Sequence, residues 1–191
     1  MAAQVSGVTK HPRLDFIETH SGRRFRPLSP DAGEIVITDI AHALSQQCRF
    51  SGHTFVPYSV AEHSVRVAEL LERWAAPRSV QLWGLLHDAS EAYLVDIPQP
   101  LKHTEAFAPY RAAERELMAA VCTRFGLSQA EPAMVRRADA TLLATEARDL
   151  MPYRREHWIG LVEAPLPETI KPWHSSSAKR EFLARFEELS R

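Results

Sequence analysis

The chain has 191 residues, 45% of them hydrophobic, and a formal net charge of −1. That is the length of one ordinary domain with enough apolar material for a core, and the near-neutral balance excludes the global basic field of a protein built to bind long DNA or RNA. The two cysteines, Cys48 and Cys122, cannot build a disulfide framework and lack CxxC spacing; with no apolar run of membrane-spanning length and no apolar leader core, the expected setting is the reducing cytoplasm, away from any membrane.

Seven glycines are few for a turn-rich β fold and favour helix. Residues 1–13 read as loose. Leu14 to Thr19 alternates in polarity and Ser21-Gly22 forms a turn before Arg24-Phe25-Arg26, which predicts a short N-terminal β-hairpin. After a loop from Pro27 to Gly33, Thr38 or Asp39 can cap a short helix running through Gln47. Ser59 and Glu62 form a capping box that opens a helix to about Trp74. A second long helix is expected from near Arg78 to before Pro98, and an amphipathic one from Pro109 to Phe125, stopped by Gly126. Ser128 and Glu131 make another capping box, opening a helix to about Leu150 before Pro152. Residues 152–175 lack periodicity. Ala178 to Leu189 is a final helix with Phe182, Leu183, Phe186 and Leu189 as its buried stripe. Trp74, Trp83, Tyr93 and Phe125 read as core residues, and the arginines at 111–115, 136–137 and 154–155 as solvated faces.

One stretch resists a purely structural reading. Leu85-Leu86-His87-Asp88-Ala89-Ser90-Glu91-Ala92 places three charge-capable groups in an apolar helix. A buried helix avoids such groups unless their desolvation is compensated, and a divalent metal compensates imidazole and carboxylate together. His63 falls on the inward stripe with Val60, Val67, Leu70 and Leu71. Asp139 falls on a stripe with Val135, Ala138, Leu142, Leu143 and Leu150. Alone, His63 reads as a core histidine, and Asp139 as a partner of Arg136 or Arg137. Taken together, His63, His87, Asp88 and Asp139 put ligand-type residues on the core faces of three helices, with Glu91 one turn beyond the His-Asp pair.

The order His, His-Asp, Asp resembles the HD-domain metal-dependent phosphohydrolases. His87-Asp88-Ala89-Ser90-Glu91 followed by Asp96-Ile97-Pro98-Gln99-Pro100-Leu101-Lys102 is similar to the bacterial 5′-deoxynucleotidases of the YfbR type, as are Glu62-His63-Ser64, Ala138-Asp139-Ala140 and Arg49-Phe50. The wording of Cys48-Arg49-Phe50-Ser51-Gly52-His53 and of Thr145-Glu146-Ala147-Arg148-Asp149-Leu150 is closer to the phage and prophage branch typified by YfdR. The motifs span about residues 35–150. The resemblance implies one all-α HD-type helical bundle over residues 1–191, with residues 152–191 as a helical extension.

It also implies a chemistry. One divalent cation, Co²⁺ or Mn²⁺ first and Zn²⁺, Fe²⁺ or Mg²⁺ also suited to mixed nitrogen and oxygen donors, would sit on His63, His87, Asp88 and Asp139. Glu91 is expected to orient or deprotonate the attacking water, or to protonate the leaving oxygen. Arg49 would hold the 5′-phosphate as a bidentate fork, Phe50 would lie near sugar and base, and Asp96 would take the sugar 3′-hydroxyl. Lys102 is a second phosphate candidate. His53 reads equally as a phosphate donor or a structural histidine. Phe50 stands where the family carries Trp, which leaves the preference between deoxyribose and ribose open.

The expected activity is hydrolysis of nucleoside 5′-monophosphates, foremost deoxynucleotides, to nucleoside and phosphate. A deoxynucleotide triphosphohydrolase of the phage kind shares the motif order; Arg23, Arg24, Arg26 and His53 are the cations it would use for the outer phosphates. A third reading is a non-catalytic protein stabilised by metal. Relatives assemble, and Trp158, Trp173 and the final helix have no evident intrachain partner in the sequence, so a homo-oligomer is expected.

Overall fold

A computed structural model describes residues 15–152, 158 and 160–191. Leu14 of the expected hairpin, and Arg154 and Arg155, lie outside the described residues. The elements are β1 (Ile17–Glu18), β2 (Arg24–Phe25), α1 (Ile37–Gln46), α2 (Val60–Arg73), α3 (Arg78–Leu86), α4 (Glu91–Leu94), α5 (Gln99–Lys102), α6 (Ala108–Phe125), α7 (Ala133–Leu150) and α8 (Ser175–Leu189). The fold is therefore helical with one small antiparallel hairpin, in which Ile17 pairs with Phe25 across a turn closed by Gly22 at φ +79°.

The centre of the fold is α2. Ser59 Oγ accepts the Glu62 N–H at 3.2 Å, the first half of the expected capping box. The second half does not form: the fully buried Glu62 carboxylate binds Arg66 at 2.7 Å and the Trp173 N–H at 2.7 Å instead. Val60, Ala61, Val65 and Ala68 serve one apolar core, shared with α1, α3, α6 and α8. Val67, Leu70 and Leu71 serve a second, shared with α3 and α7. A helix with apolar residues around most of its girth is buried between layers. Gly84 brings α3 onto α2: a Cβ there would stand 2.3 Å from Leu71 Cδ1, so a side chain would force the buried Leu71 to shift.

Several helix ends differ from their sequence signals. Neither Thr38 nor Asp39 caps α1, which starts after extended Val36. Buried Asp39 instead accepts from the Ser21 N–H at 2.8 Å and hydroxyl at 2.7 Å, tying the hairpin turn to α1. Ser128 and Glu131 do not open α7. That helix begins behind Pro132, whose ring presets φ (−64°) for helix entry. The Ser128 hydroxyl donates to the Ala130 carbonyl, while the Ser128 carbonyl accepts from Trp83 Nε1–H.

The helix expected from Arg78 to before Pro98 is broken after Leu86. The His87 ring donates from Nδ1 to the Gly84 carbonyl at 2.7 Å, in competition with the helical ladder at that acceptor. The chain then turns through 87–90 with i→i+3 bonds and restarts as α4, which ends at Val95.

The C-terminal helix begins earlier than Ala178, at Ser175. It lays Ala178, Phe182 and Leu189 against the core, with Leu183 and Phe186 half-buried beside them, and packs on α1, α2 and α3. Trp173 sits under the Arg66 guanidinium, 4.8 Å from its carbon. Trp173 and the final helix thus have partners within their own chain. Arg111 is not a purely solvated residue either, since it donates to the Thr104 carbonyl at 2.7 Å. Among the described residues no helix is long and apolar enough to cross a membrane.

Candidate metal centre

Three helices bring the ligand-type residues to one point. His63 comes from the first turn of α2, His87 and Asp88 from the break after α3, and Asp139 from α7. His63 Nε2 lies 3.3 Å from His87 Nε2, 3.8 Å from Asp88 Oδ2 and 3.2 Å from Asp139 Oδ1. His87 Nε2 lies 3.3 Å from Asp88 Oδ2 and 4.0 Å from Asp139 Oδ1. The ligand atoms of His63, His87 and Asp88 lie within 4.8 Å of one another, so these three can hold a metal ion, and Asp139 stands beside them. Asp139 does not pair with its helix neighbours: Arg136 meets Glu131 and Arg137 meets Glu163.

The donor set fits a cation. A backbone carbonyl only accepts, so His87 Nδ1 carries a proton and a neutral His87 ring presents a lone pair on Nε2. His63 Nδ1 lies 2.6 Å from the Glu146 carboxylate, which fixes its proton the same way. Two nitrogen lone pairs and two carboxylates then face one small volume, and only a proton or a metal reconciles them. Without metal, burial and Arg49 push the His63 pKa down, but Glu146 and Asp139 outweigh them and it is raised to about 9. Asp139 responds in kind: burial pushes its carboxyl up, and the hydrogen bond and charge of His63 hold it well below the usual range.

Glu146 is the residue of the buried cluster that the sequence reading missed. It has no solvent exposure, and all its bonds serve the site. Oε1 accepts from His63 Nδ1 and, at 2.9 Å, from the Tyr58 hydroxyl; Oε2 accepts from Arg49 Nε at 3.1 Å. The available signal was its spacing, two helical turns beyond Asp139 on the same face of α7.

Arg49 is brought to the cluster as expected. Its side chain is 13% exposed, and Nη1 lies 3.5 Å from Asp88 Oδ2. Burial opposes its charge, but Glu146, Asp88 and Asp139 raise its pKa further, so it is a fixed cation. Glu91 is buried at 6% exposure, and its Oε2 has no hydrogen-bond partner among the described residues. Burial first, then Asp88 and Asp96, push its carboxyl well above the ordinary glutamate value. Asp96 is half-buried and raised too, by burial against the pull of Arg49. Lys102 is not the exposed helix-end lysine considered from sequence, since its ammonium is bonded to Glu114. His53 is exposed in the loop after Phe50 and does not join the cluster. Of the hairpin arginines, Arg26 binds Asp15 and Arg24 lies over Phe16.

Backbone strain flanks the site on both sides. Phe50 and Ser51 have φ +54° and +52°, and Val95, β-branched, has φ +63°. The Phe50 ring meets Trp158 edge-on, with centroids 6.1 Å apart.

The chain is 37% identical over 179 residues to the uncharacterized protein YfdR of Escherichia coli (strain K12), a match covering 93% of this chain and 97% of YfdR. It is 43% identical over 123 residues to an uncharacterized protein of Rhodobacter capsulatus, covering 62% of each. No protein-family model matches the sequence.

Proposed function

The chain belongs to the family of YfdR, and from that premise and the histidine–aspartate cluster we propose that it is a metal-dependent phosphohydrolase. Its substrates are nucleoside 5′-monophosphates, foremost deoxynucleotides, and its products are the nucleoside and inorganic phosphate. The observation that carries this reading is the buried Arg49 guanidinium 3.5 Å from Asp88, a fixed cation one ligand away from the metal position. A phosphate spanning the two would meet charge on both sides, in a fork geometry suited to it.

The ion is Co²⁺ or Mn²⁺, held by His63, His87, Asp88 and Asp139, a mixed nitrogen and oxygen set. When bound it acidifies a water and polarises the phosphoryl group. Arg49 binds and orients the phosphate. Glu91 carries a proton on its unpartnered Oε2 and gives it to the leaving 5′-oxygen, so water adds to phosphorus as the ester oxygen leaves as a hydroxyl. Asp96 accepts from the sugar 3′-hydroxyl, and Phe50 with Trp158 bounds the sugar and base. The free thiols Cys48 and Cys122 suit a reducing cytoplasm.

The test is product analysis on a panel of nucleotides with each metal added. Phosphate released from monophosphates is the expected result. Intact triphosphate released from deoxynucleoside triphosphates would move the bond cleaved, and no turnover with any metal would point to a metal-stabilised binding protein.

A further inference from the structure

We propose that Gln47 is a positioning residue that sets Glu91 and Asp96 in register with Arg49. Its side-chain amide spans both ends of α4. Nε2 donates to the Glu91 carbonyl at 2.9 Å, and Oε1 accepts from the Asp96 N–H at 3.2 Å. A carbonyl can only accept and a backbone N–H can only donate, so the two ends of the amide are not interchangeable. The Gln47 carbonyl in turn accepts from the Val60 N–H at 3.0 Å, at the start of α2. Next along the chain, Cys48 bridges Ser59, and the Arg49 N–H donates to the Tyr58 carbonyl at 2.9 Å. The segment that presents Arg49 is thereby fastened both to the helix carrying His63 and to the turn carrying Glu91.

α4 needs this support. A four-residue helix is a single turn, below the length that sustains itself. It ends on Val95 at φ +63° and ψ 158°, a conformation that β-branched residues adopt only when their surroundings impose it. The clamp brackets this strained position, with Glu91 before it and Asp96 after it. Gln47 hydrogen-bonds to none of His63, His87, Asp88 or Asp139, so its contribution is separable from metal binding. The functional half of the proposal rests on the phosphohydrolase reading; the structural half does not.

The experiment compares full-length wild type, Gln47→Ala and Gln47→Glu. It reads metal content, backbone amide exchange at Val95 and Asp96, and kinetics on a 2′-deoxynucleoside monophosphate and its 2′,3′-dideoxy analogue. Gln47→Ala should keep its metal, lose at least about tenfold in Asp96 protection and lose on the order of a hundredfold in kcat. It should also lose the preference for the 3′-hydroxyl substrate. Gln47→Glu keeps the acceptor for Asp96 and removes the donor to Glu91. It should therefore recover Asp96 protection and sugar preference while kcat stays low, a split that general loosening of the fold would not give. Wild-type exchange at Asp96 in Gln47→Ala overturns the proposal, as do wild-type kcat and sugar preference. Should Gln47→Ala fail to fold, an unchanged kcat in Gln47→Glu overturns it. If wild type itself releases no phosphate, the phosphohydrolase reading fails, and exchange at Asp96 alone decides whether Gln47 holds the turn.

Discussion

His63 Nδ1 lies 2.6 Å from Glu146 Oε1, with neither side chain exposed. The same carboxylate accepts from Tyr58 and Arg49, so one buried anion fixes the His63 ring and the Arg49 guanidinium together. Glu146→Gln should preserve shape but weaken this control, lowering metal affinity by roughly 10–100-fold in calorimetric titration. Glu146→Ala takes from buried Arg49 its shorter ion pair, leaving Asp88 at 3.5 Å, and should cost about 3 kcal/mol in denaturant unfolding. Unchanged metal affinity in Glu146→Gln would show that the ring needs no such partner.

His87→Ala and Asp88→Ala should each remove the metal and abolish turnover, because each takes one donor from a set of four drawn from α2, the turn after α3, and α7. Metal content by elemental analysis checks this, and full occupancy in Asp88→Ala would remove that residue from the site.

Metal binding should release protons and strengthen with pH. Without metal, the pKa of His63 is raised to about 9, above the ordinary 6.5. The stabilisation from its charge is thus complete below 6.5 and is lost as pH rises through about 9. A metal takes the Nε2 site that this proton occupies, so affinity should climb until about pH 9 and then level off. Titration calorimetry in buffers of different ionisation enthalpy counts the protons. A pH-independent affinity would contradict the exchange of proton for metal.

Glu91→Gln should retain the metal and lose on the order of a hundredfold or more in kcat, the expected loss for a positioned acid. Its buried, unpartnered Oε2 sets it apart from a surface carboxylate. A normal kcat would return it to a structural role.

The ligand-type residues were legible in the sequence because they break apolar helical stripes: His63 beside Val60 and Val67, Asp139 beside Ala138 and Leu142. The break at His87 was not, because it depends on a ring-to-carbonyl bond within one turn, and the segment from Arg78 to before Pro98 reads as one continuous helix. Glu146 and Gln47 escaped for a related reason. Each works by hydrogen bonds to partners more than forty residues away, which leave no periodic trace. The capping signal at Ser128 misled because Pro132 offers a competing start, and the tail's partners only exist once α8 lies across α1, α2 and α3.

Substrate recognition should divide between Arg49 and Asp96. Arg49 is buried beside Asp88, close enough to the ligand cluster to meet a phosphate held there, and every nucleotide carries that group. Arg49→Ala should therefore weaken all substrates by a similar factor. It also frees Glu146 and Asp88 from a shared cation, so metal content must be measured alongside to separate lost phosphate binding from lost metal. Asp96 follows strained Val95, half-buried and without a cation bonded to its carboxylate among the described residues. An acceptor placed there for a sugar hydroxyl discriminates strongly, because a substrate lacking the hydroxyl leaves it unpaired. Asp96→Ala should hurt 2′-deoxynucleotides selectively and leave their 2′,3′-dideoxy analogues nearly untouched, read as kcat/KM for each pair. Equal slowing of both substrates would assign Asp96 to holding the turn after α4, and the sugar would have to be read elsewhere, with the Phe50–Trp158 pair an aromatic surface to test.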